Sequence, residues 1–215
     1  LFSAENLPMA NILHIDTSPR GERSHSRTFT HKFVAAWKAA HPEDTLTYRD
    51  LGRNPVPHVD ESWIAAAFTP PNAHTPEIAQ AIKVSDALID ELQAADRYIF
   101  GVPMYNLNIP STFKAYIDQI VRVGRTFAIT EQGGYQGLLE GKKSLVITAR
   151  GGSFTGDSPF TPYDYQEPYL KAIFGFIGIT DVSFIHLENL NAGDAAREES
   201  FAQGQEAIAH AVASW

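Results

Sequence analysis

The sequence predicts an α/β fold, one parallel sheet wound on both faces by helices, and three observations carry that prediction. Short, mostly apolar runs alternate with longer segments whose apolar residues recur every three to four positions, as buried strands and amphipathic helices require. No internal repeat, low-complexity tract or long linker breaks the alternation. With 215 residues and 44% hydrophobic content the chain can bury an ample core.

The elements follow in order. Residues 11–16 form the first strand, with Ile12, Leu13 and Ile15 as its apolar run. Ser24 or Ser26 caps a helix marked by Phe29, Phe33, Trp37 and Ala40. Residues 44–51 alternate, Leu46 and Tyr48 opposite Thr45 and Thr47, and read as the second strand. A proline-rich stretch, 53–76, encloses a short segment at 61–68. Thr75 then caps, and Pro76 opens, a long helix with Ile78, Ile82, Leu88, Ile89 and Leu92 on its core face. Residues 97–103 are the third strand, 111–123 a helix, 142–149 the fourth strand, 168–177 a helix and 181–187 the fifth strand. Asp194 caps a last helix carrying Phe201, Ile208 and Val212. Five strands and five helices in this order fit a doubly wound sheet of strand order 2-1-3-4-5.

Composition narrows the function. Seventeen basic against 25 acidic residues, a formal charge of −8, lack the basic footprint of a nucleic-acid binder. The absence of cysteine excludes disulfides, thiolate catalysis and iron–sulfur clusters, and is consistent with a reducing cytoplasm. No segment approaches the roughly 20 apolar residues of a membrane span. The eight histidines show neither HExxH nor HxH spacing, so no metal site is expected. Residues 1–8 lack the pattern of a signal peptide and read as foreign to the native chain, with Met9 its start and 9–215 one domain.

In an open sheet of this kind ligands bind beyond the carboxyl ends of the strands, where strand order reverses. Three loops lie there. The first, Thr17 to Ser26, includes Ser18, Ser24, His25 and Ser26 at a helix start, which suits a single phosphate. It has neither the P-loop nor the dinucleotide glycine pattern. The second is Pro103-Met104-Tyr105-Asn106-Leu107-Asn108-Ile109-Pro110, whose ring, thioether and amides suit a flat heteroaromatic ligand. The third is Ala149-Arg150-Gly151-Gly152-Ser153-Phe154, where paired glycines allow backbone N–H groups to approach an electron-rich edge. Each loop has a plainer reading: a helix cap, an Asn106 turn, a glycine turn. Together they describe a phosphate pocket, a flat slot and an N–H-lined edge.

These residues resemble the FMN-dependent NADH-azoreductase family, the flavodoxin-like NADH:quinone oxidoreductases. The likeness runs from about Ala10 to the end. It rests on Pro103-Met104-Tyr105-Asn106, Lys114-Ala115-Tyr116-Ile117-Asp118, Thr126-Phe127, Gly141-Lys142-Lys143, Arg150-Gly151-Gly152 and Phe174-Gly175-Phe176-Ile177-Gly178-Ile179. It implies that Ser18, Ser24, His25 and Ser26 hold the FMN phosphate and ribityl chain. Met104, Tyr105, Asn106 and Leu107 would line the flavin ring, following Pro103, and Ala149, Arg150, Gly151 and Gly152 would border its pyrimidine end. It further implies a homodimer with flavin sites at the interface. Phe154 stands where some members carry a histidine, so no imidazole donor is carried over.

The expected reaction is two-electron transfer from NADH or NADPH to a quinone or azo acceptor, the donor and acceptor using one slot in turn. No side chain is expected to be the catalyst; Tyr105 and Asn106 would lie nearest the reacting edge. Phe127, Phe154, Phe160, Tyr163 and Tyr165 are candidates for the acceptor pocket, with core or dimer contacts as the alternative. A flavodoxin-type electron carrier would not explain the extra loops at 53–76 and 156–165. A flavin-less hydrolase on this fold would need a G-x-S-x-G elbow, which is absent.

Overall fold

The computed structural model describes residues 9–215, so the expectation about residues 1–8 falls outside the described residues. Its elements are β1 (Asn11–Asp16), α1 (His25–Ala40), β2 (Thr45–Asp50), α2 (Glu61–Phe68), α3 (Pro76–Ala94), β3 (Arg97–Pro103), α4 (Ser111–Ile120), β4 (Phe127–Ile129), β5 (Tyr135–Gly137), β6 (Lys143–Ala149), α5 (Glu167–Phe176), β7 (Asp181–Leu187) and α6 (Asp194–Ser214). The main sheet runs β2-β1-β3-β6-β7, every pair parallel. This is the expected 2-1-3-4-5 order, a flavodoxin-like sheet.

Alternation along β1 and β3 sorts the core into two layers. Leu13, Ile15, Phe100 and Val102 pack with Leu88 of α3, Phe113 of α4 and Phe174 of α5. Ile12 and Ile99 pack on the other face with Phe29 of α1 and Ile208 of α6. Each such side chain, fully buried, contributes about 1.5–3 kcal/mol. The edge strand β2 is different: Leu46 and Tyr48 are 40% and 43% exposed, so its alternation does not mark a buried face.

Several features differ from the sequence expectation. The helix α4 stops at Ile120, because the Thr126 hydroxyl donates to the Ile120 carbonyl (2.7 Å) and accepts from the Arg122 N–H (3.0 Å). The helix α5 begins one residue early, at Glu167, because Asp164 Oδ1 accepts the N–H groups of Gln166 and Glu167 (2.9 and 3.1 Å). Asp194 does not cap α6; Gly193, at φ 103°, stands before it, and the Asp194 carboxylate takes Arg197 instead. The antiparallel pair β4–β5 was not expected, since three-residue strands are too short to show a period of two.

Candidate active site

The loops after β1, β3 and β6 meet at the carboxyl edge of the sheet. Thr17 Oγ1 donates to the Gly101 carbonyl (2.8 Å), and Thr112 Oγ1 of α4 donates to the Thr17 carbonyl (3.2 Å). The Met104 N–H bonds to the Ala149 carbonyl at 2.9 Å. The three segments are therefore stitched into one surface.

In the first loop Ser24 is the N-cap of α1, accepting the Arg27 N–H at 3.4 Å. Its Oγ lies 3.2 Å from Ser26 Oγ, and both hydroxyls are buried. The N–H groups of His25 and Ser26 open a 16-residue helix and have no acceptor among the described residues. Two hydroxyls and two free N–H groups at the positive end of a helix form an anion cradle. Ser18 is buried beside it; its carbonyl accepts Arg27 Nη2 (2.9 Å), and its Oγ accepts the Arg20 N–H (3.3 Å). Gly52 makes this packing possible, because a Cβ there would lie 2.0 Å from the Ser18 carbonyl oxygen. The His25 ring leans on Phe201 of α6, 5.1 Å between centroids, so His25 offers the cradle its backbone rather than its imidazole. Burial, then the charges of Arg20 and Arg197, hold that imidazole below the usual histidine range.

The second loop carries strain that the sequence did not announce. Asn106 and Leu107 have φ of 48° and 71°, a region costly for leucine. It persists because the loop is pinned on three sides. The Tyr105 and Asn108 N–H groups exchange bonds with each other's carbonyls (2.8 and 3.1 Å), and the Tyr165 N–H donates to the Leu107 carbonyl (3.2 Å). Pro103 ends β3 and Met104 is half-buried below the turn. Tyr105 and Asn106 line a cavity of about 490 Å³ with His58, Lys114 and Tyr169, none of which was named as a site residue from the sequence.

In the third loop the N–H groups of Gly151 and Gly152 have no acceptor among the described residues, while their carbonyls take the N–H groups of Asn191 and Asn189 (3.0 and 3.1 Å). Arg150 behaves differently from its neighbours. Its side chain is fully buried, with Nε on Gln166 Oε1 (3.0 Å), Nη1 on Glu188 (3.3 Å) and Nη2 on Asp164 (3.0 Å). Its guanidinium is thus committed to the protein, and only its backbone borders the site. Glu188 also accepts the Phe154 N–H (2.8 Å) and the hydroxyls of Ser153 (3.0 Å) and Thr155 (2.7 Å). Burial opposes ionisation of Glu188, but these four donors together hold its carboxyl below the usual range. Gln166 reaches on to the Val102 carbonyl (3.1 Å). Asp164, Gln166 and Glu188 were missed because nothing local marks them; they matter only as partners of Arg150.

The expected pocket aromatics divide. Phe154 is buried, 6.2 Å from the Phe160 ring, while Phe160, Tyr163 and Tyr165 are each more than half exposed above the loops. Phe127 is not with them. It lies in β4 beyond the far end of α4, against Phe176 (4.7 Å) and Tyr135 (6.0 Å), at the amino edge of the sheet. A chain position after α4 returns it to that edge, which residue type alone did not reveal.

A family model described as flavodoxin-like fold matches residues 10–212. Over 208 residues the chain is 66% identical to FMN-dependent NADH:quinone oxidoreductase 2 of Trichormus variabilis, covering 96% of this chain and all of that protein. The chain belongs to the flavodoxin-like family of FMN-dependent NADH:quinone oxidoreductases. Among solved structures it is similar to an azoreductase from Bacillus anthracis strain Sterne, with a TM-score of 0.88, 30% identity and coverage of 96% of this chain and 100% of that one. It is also similar to an FMN-dependent NADH-azoreductase from the Ames Ancestor strain, solved in complex with FMN, with a TM-score of 0.82, 28% identity and coverage of 94% and 99%. Within this family member the described residues include no helix long and apolar enough to cross a membrane.

Proposed function

We propose that this chain is an FMN-dependent oxidoreductase that moves two electrons from NADH or NADPH to quinone or azo acceptors by a ping-pong sequence. The observation that carries the proposal is the convergence of an anion cradle, a strained flat-walled loop and a pair of free glycine N–H groups on one edge of the sheet. The donor set fits FMN: a monophosphate for the cradle, a planar ring for the slot, and an electron-rich edge for the N–H groups. When bound, FMN would supply the redox chemistry, the capacity to accept and release two electrons.

The chain's own residues hold and orient. Ser24, Ser26 and the N–H groups of His25 and Ser26 bind the phosphate, with Ser18 shaping the cradle's floor. Met104, Tyr105, Asn106 and Leu107 wall the ring. The Gly151 and Gly152 N–H groups would hold the electron-rich pyrimidine edge and favour negative charge there, as an oxyanion hole does. The buried Phe154 backs the slot, and the exposed Phe160, Tyr163 and Tyr165 shape the space for donor and acceptor in turn. These exposed aromatics also support a homodimer that covers them, and the use of reduced nicotinamide as donor fits a cytoplasmic place.

The test is spectroscopic and kinetic. The purified protein, supplied with FMN, shows flavin absorbance that NADH bleaches without oxygen and a quinone restores; initial-rate lines at several quinone concentrations run parallel. A protein that stays colourless, or is not bleached by reduced nicotinamide, overturns the enzyme, and intersecting lines overturn the shared slot.

A further inference from the structure

His14, Asp16 and His31 form a cluster that none of the chemistry above uses. His14 and Asp16 are two residues apart on β1, so both side chains leave the same face of the sheet. That face is covered by α1, from which His31 descends. His14 is only 2% exposed, and its Nε2 has no hydrogen-bond partner; it stands 3.4 Å from Asp16 Oδ1. His31 Nε2 lies 3.1 Å from Asp16 Oδ2. One ligand atom from each of the three falls within 4.8 Å of the others. Two donors on one tetrahedral zinc ion stand about 3.3 Å apart, given metal–ligand distances of about 2.0–2.2 Å. Each imidazole already stands near that distance from one oxygen of Asp16, and a small closure of the set would bring all three donors onto one ion.

We propose that His14, Asp16 and His31 bind a divalent transition metal of the zinc type. Two imidazoles and one carboxylate are the N/O set such ions take, with remaining positions left open. His31 is 55% exposed and lines a cavity of about 480 Å³ with Arg27, Thr28, Tyr48 and Asp50, which gives the ion a route from solvent and room for water ligands. The neighbouring charges balance: Arg27, Lys32 and Arg53 stand with Asp16, Asp50 and Glu22 around the cluster and its cavity. Arg27 lies 3.6 Å from Asp16 Oδ2, but its guanidinium is engaged with both oxygens of Asp50 (2.7 and 2.8 Å). Arg53 Nε lies 3.8 Å from Asp50 Oδ2 as well, so Asp50 answers both guanidiniums and Asp16 faces the two imidazoles. Thr30 Oγ1 (2.8 Å) and the Tyr48 hydroxyl (3.0 Å) donate to that carboxylate and orient it. Histidine-pair spacing misses the set because one ligand is an aspartate and the third comes from a different element. A bound ion would fasten β1 to α1, the two elements that flank the phosphate loop.

The experiment is calorimetric titration of the flavin-loaded protein with zinc, after chelator treatment and dialysis, alongside thermal melting. One equivalent of zinc binds and raises the melting temperature. His31→Ala, which changes a half-exposed side chain, weakens zinc binding at least tenfold and abolishes the thermal shift while retaining FMN. His74→Ala, outside the cluster, leaves both unchanged. Lack of saturable zinc binding overturns the proposal and leaves a purely hydrogen-bonded imidazole–carboxylate network. Zinc binding unchanged in His31→Ala, or magnesium binding as tightly as zinc, overturns it as well.

Discussion

Arg27 and Arg150 are both buried, 5% and 0% exposed, and both hold a loop at the carboxyl edge of the sheet through two carboxylates. Their partners differ in kind. Arg27 sits in α1 and meets Asp16 and Asp50, the last residues of β1 and β2, so it joins elements that backbone hydrogen bonds already fix. Arg150 sits just past β6 and meets Asp164 and Glu188, which lie outside any strand or helix. It is the one guanidinium to which the glycine loop, the 156–165 aromatic loop and the turn after β7 all answer, among the described residues. Arg27 also lines a cavity that water can enter, whereas the Arg150 side chain is wholly buried; the partner carboxylates are comparably exposed, Asp16 and Asp50 at 1% and 10%, Asp164 and Glu188 at 9% and 13%. An ion pair that reinforces regular structure and one that replaces it should respond differently to loss.

The largest effect is expected at Arg150. Arg150→Met leaves Asp164 and Glu188 buried without their partner and costs about 3–5 kcal/mol in urea unfolding. The same variant should alter acceptor preference, since both pocket loops lose their anchor. Its penalty depends on pH. Glu188 is held below its ordinary value of 4.5, so its stabilising contribution is present above about pH 4.5 and is lost as pH falls through the lowered value. The gap between wild type and Arg150→Met is therefore widest near neutrality and narrows in acid, as urea midpoints across pH would record. Arg27→Met should cost less, about 1–3 kcal/mol, because Asp50 lines the open cavity and keeps Arg53 nearby, while Asp16 keeps its bonds to Thr30, Tyr48 and His31. Equal losses at the two arginines would dissolve the distinction drawn here.

A smaller effect is expected from Ser24→Ala, which removes the α1 cap and costs about 1 kcal/mol. It should weaken FMN binding severalfold, read by equilibrium titration of the stripped protein with FMN, while leaving the quinone KM of the FMN-saturated enzyme unchanged. The smallest stability change belongs to Phe160→Ala. An exposed ring contributes within about 0.5 kcal/mol, yet the quinone KM should rise severalfold with melting unchanged. An unaltered KM would remove Phe160 from the acceptor pocket.

Much of this site is legible before any coordinates. Ser24 and Ser26 at the start of a helix, the Pro103–Pro110 loop and the Gly151-Gly152 pair could each be located because their chemistry is local and strand order places them together. Phe154 and Phe160 could be proposed as pocket residues by type, but Phe127 could not be separated from them, because only the direction of α4 carries it to the opposite edge. The positive φ of Asn106 and Leu107 was invisible for a related reason. Bonds from Ala149 and Tyr165, distant in the chain, help hold that loop in a conformation its own residues disfavour.

By itself the sequence determined the alternation of strands and helices, the order of the sheet and the three loops at its carboxyl edge, since periodicity and capping are properties of neighbouring residues. Only the tertiary structure decided that Arg150 is an internal anchor rather than a ligand-facing charge, and that His14, Asp16 and His31 form one cluster. Burial and charge pairing depend on which distant carboxylate arrives at a given guanidinium or imidazole, and that is set by the packing of whole elements.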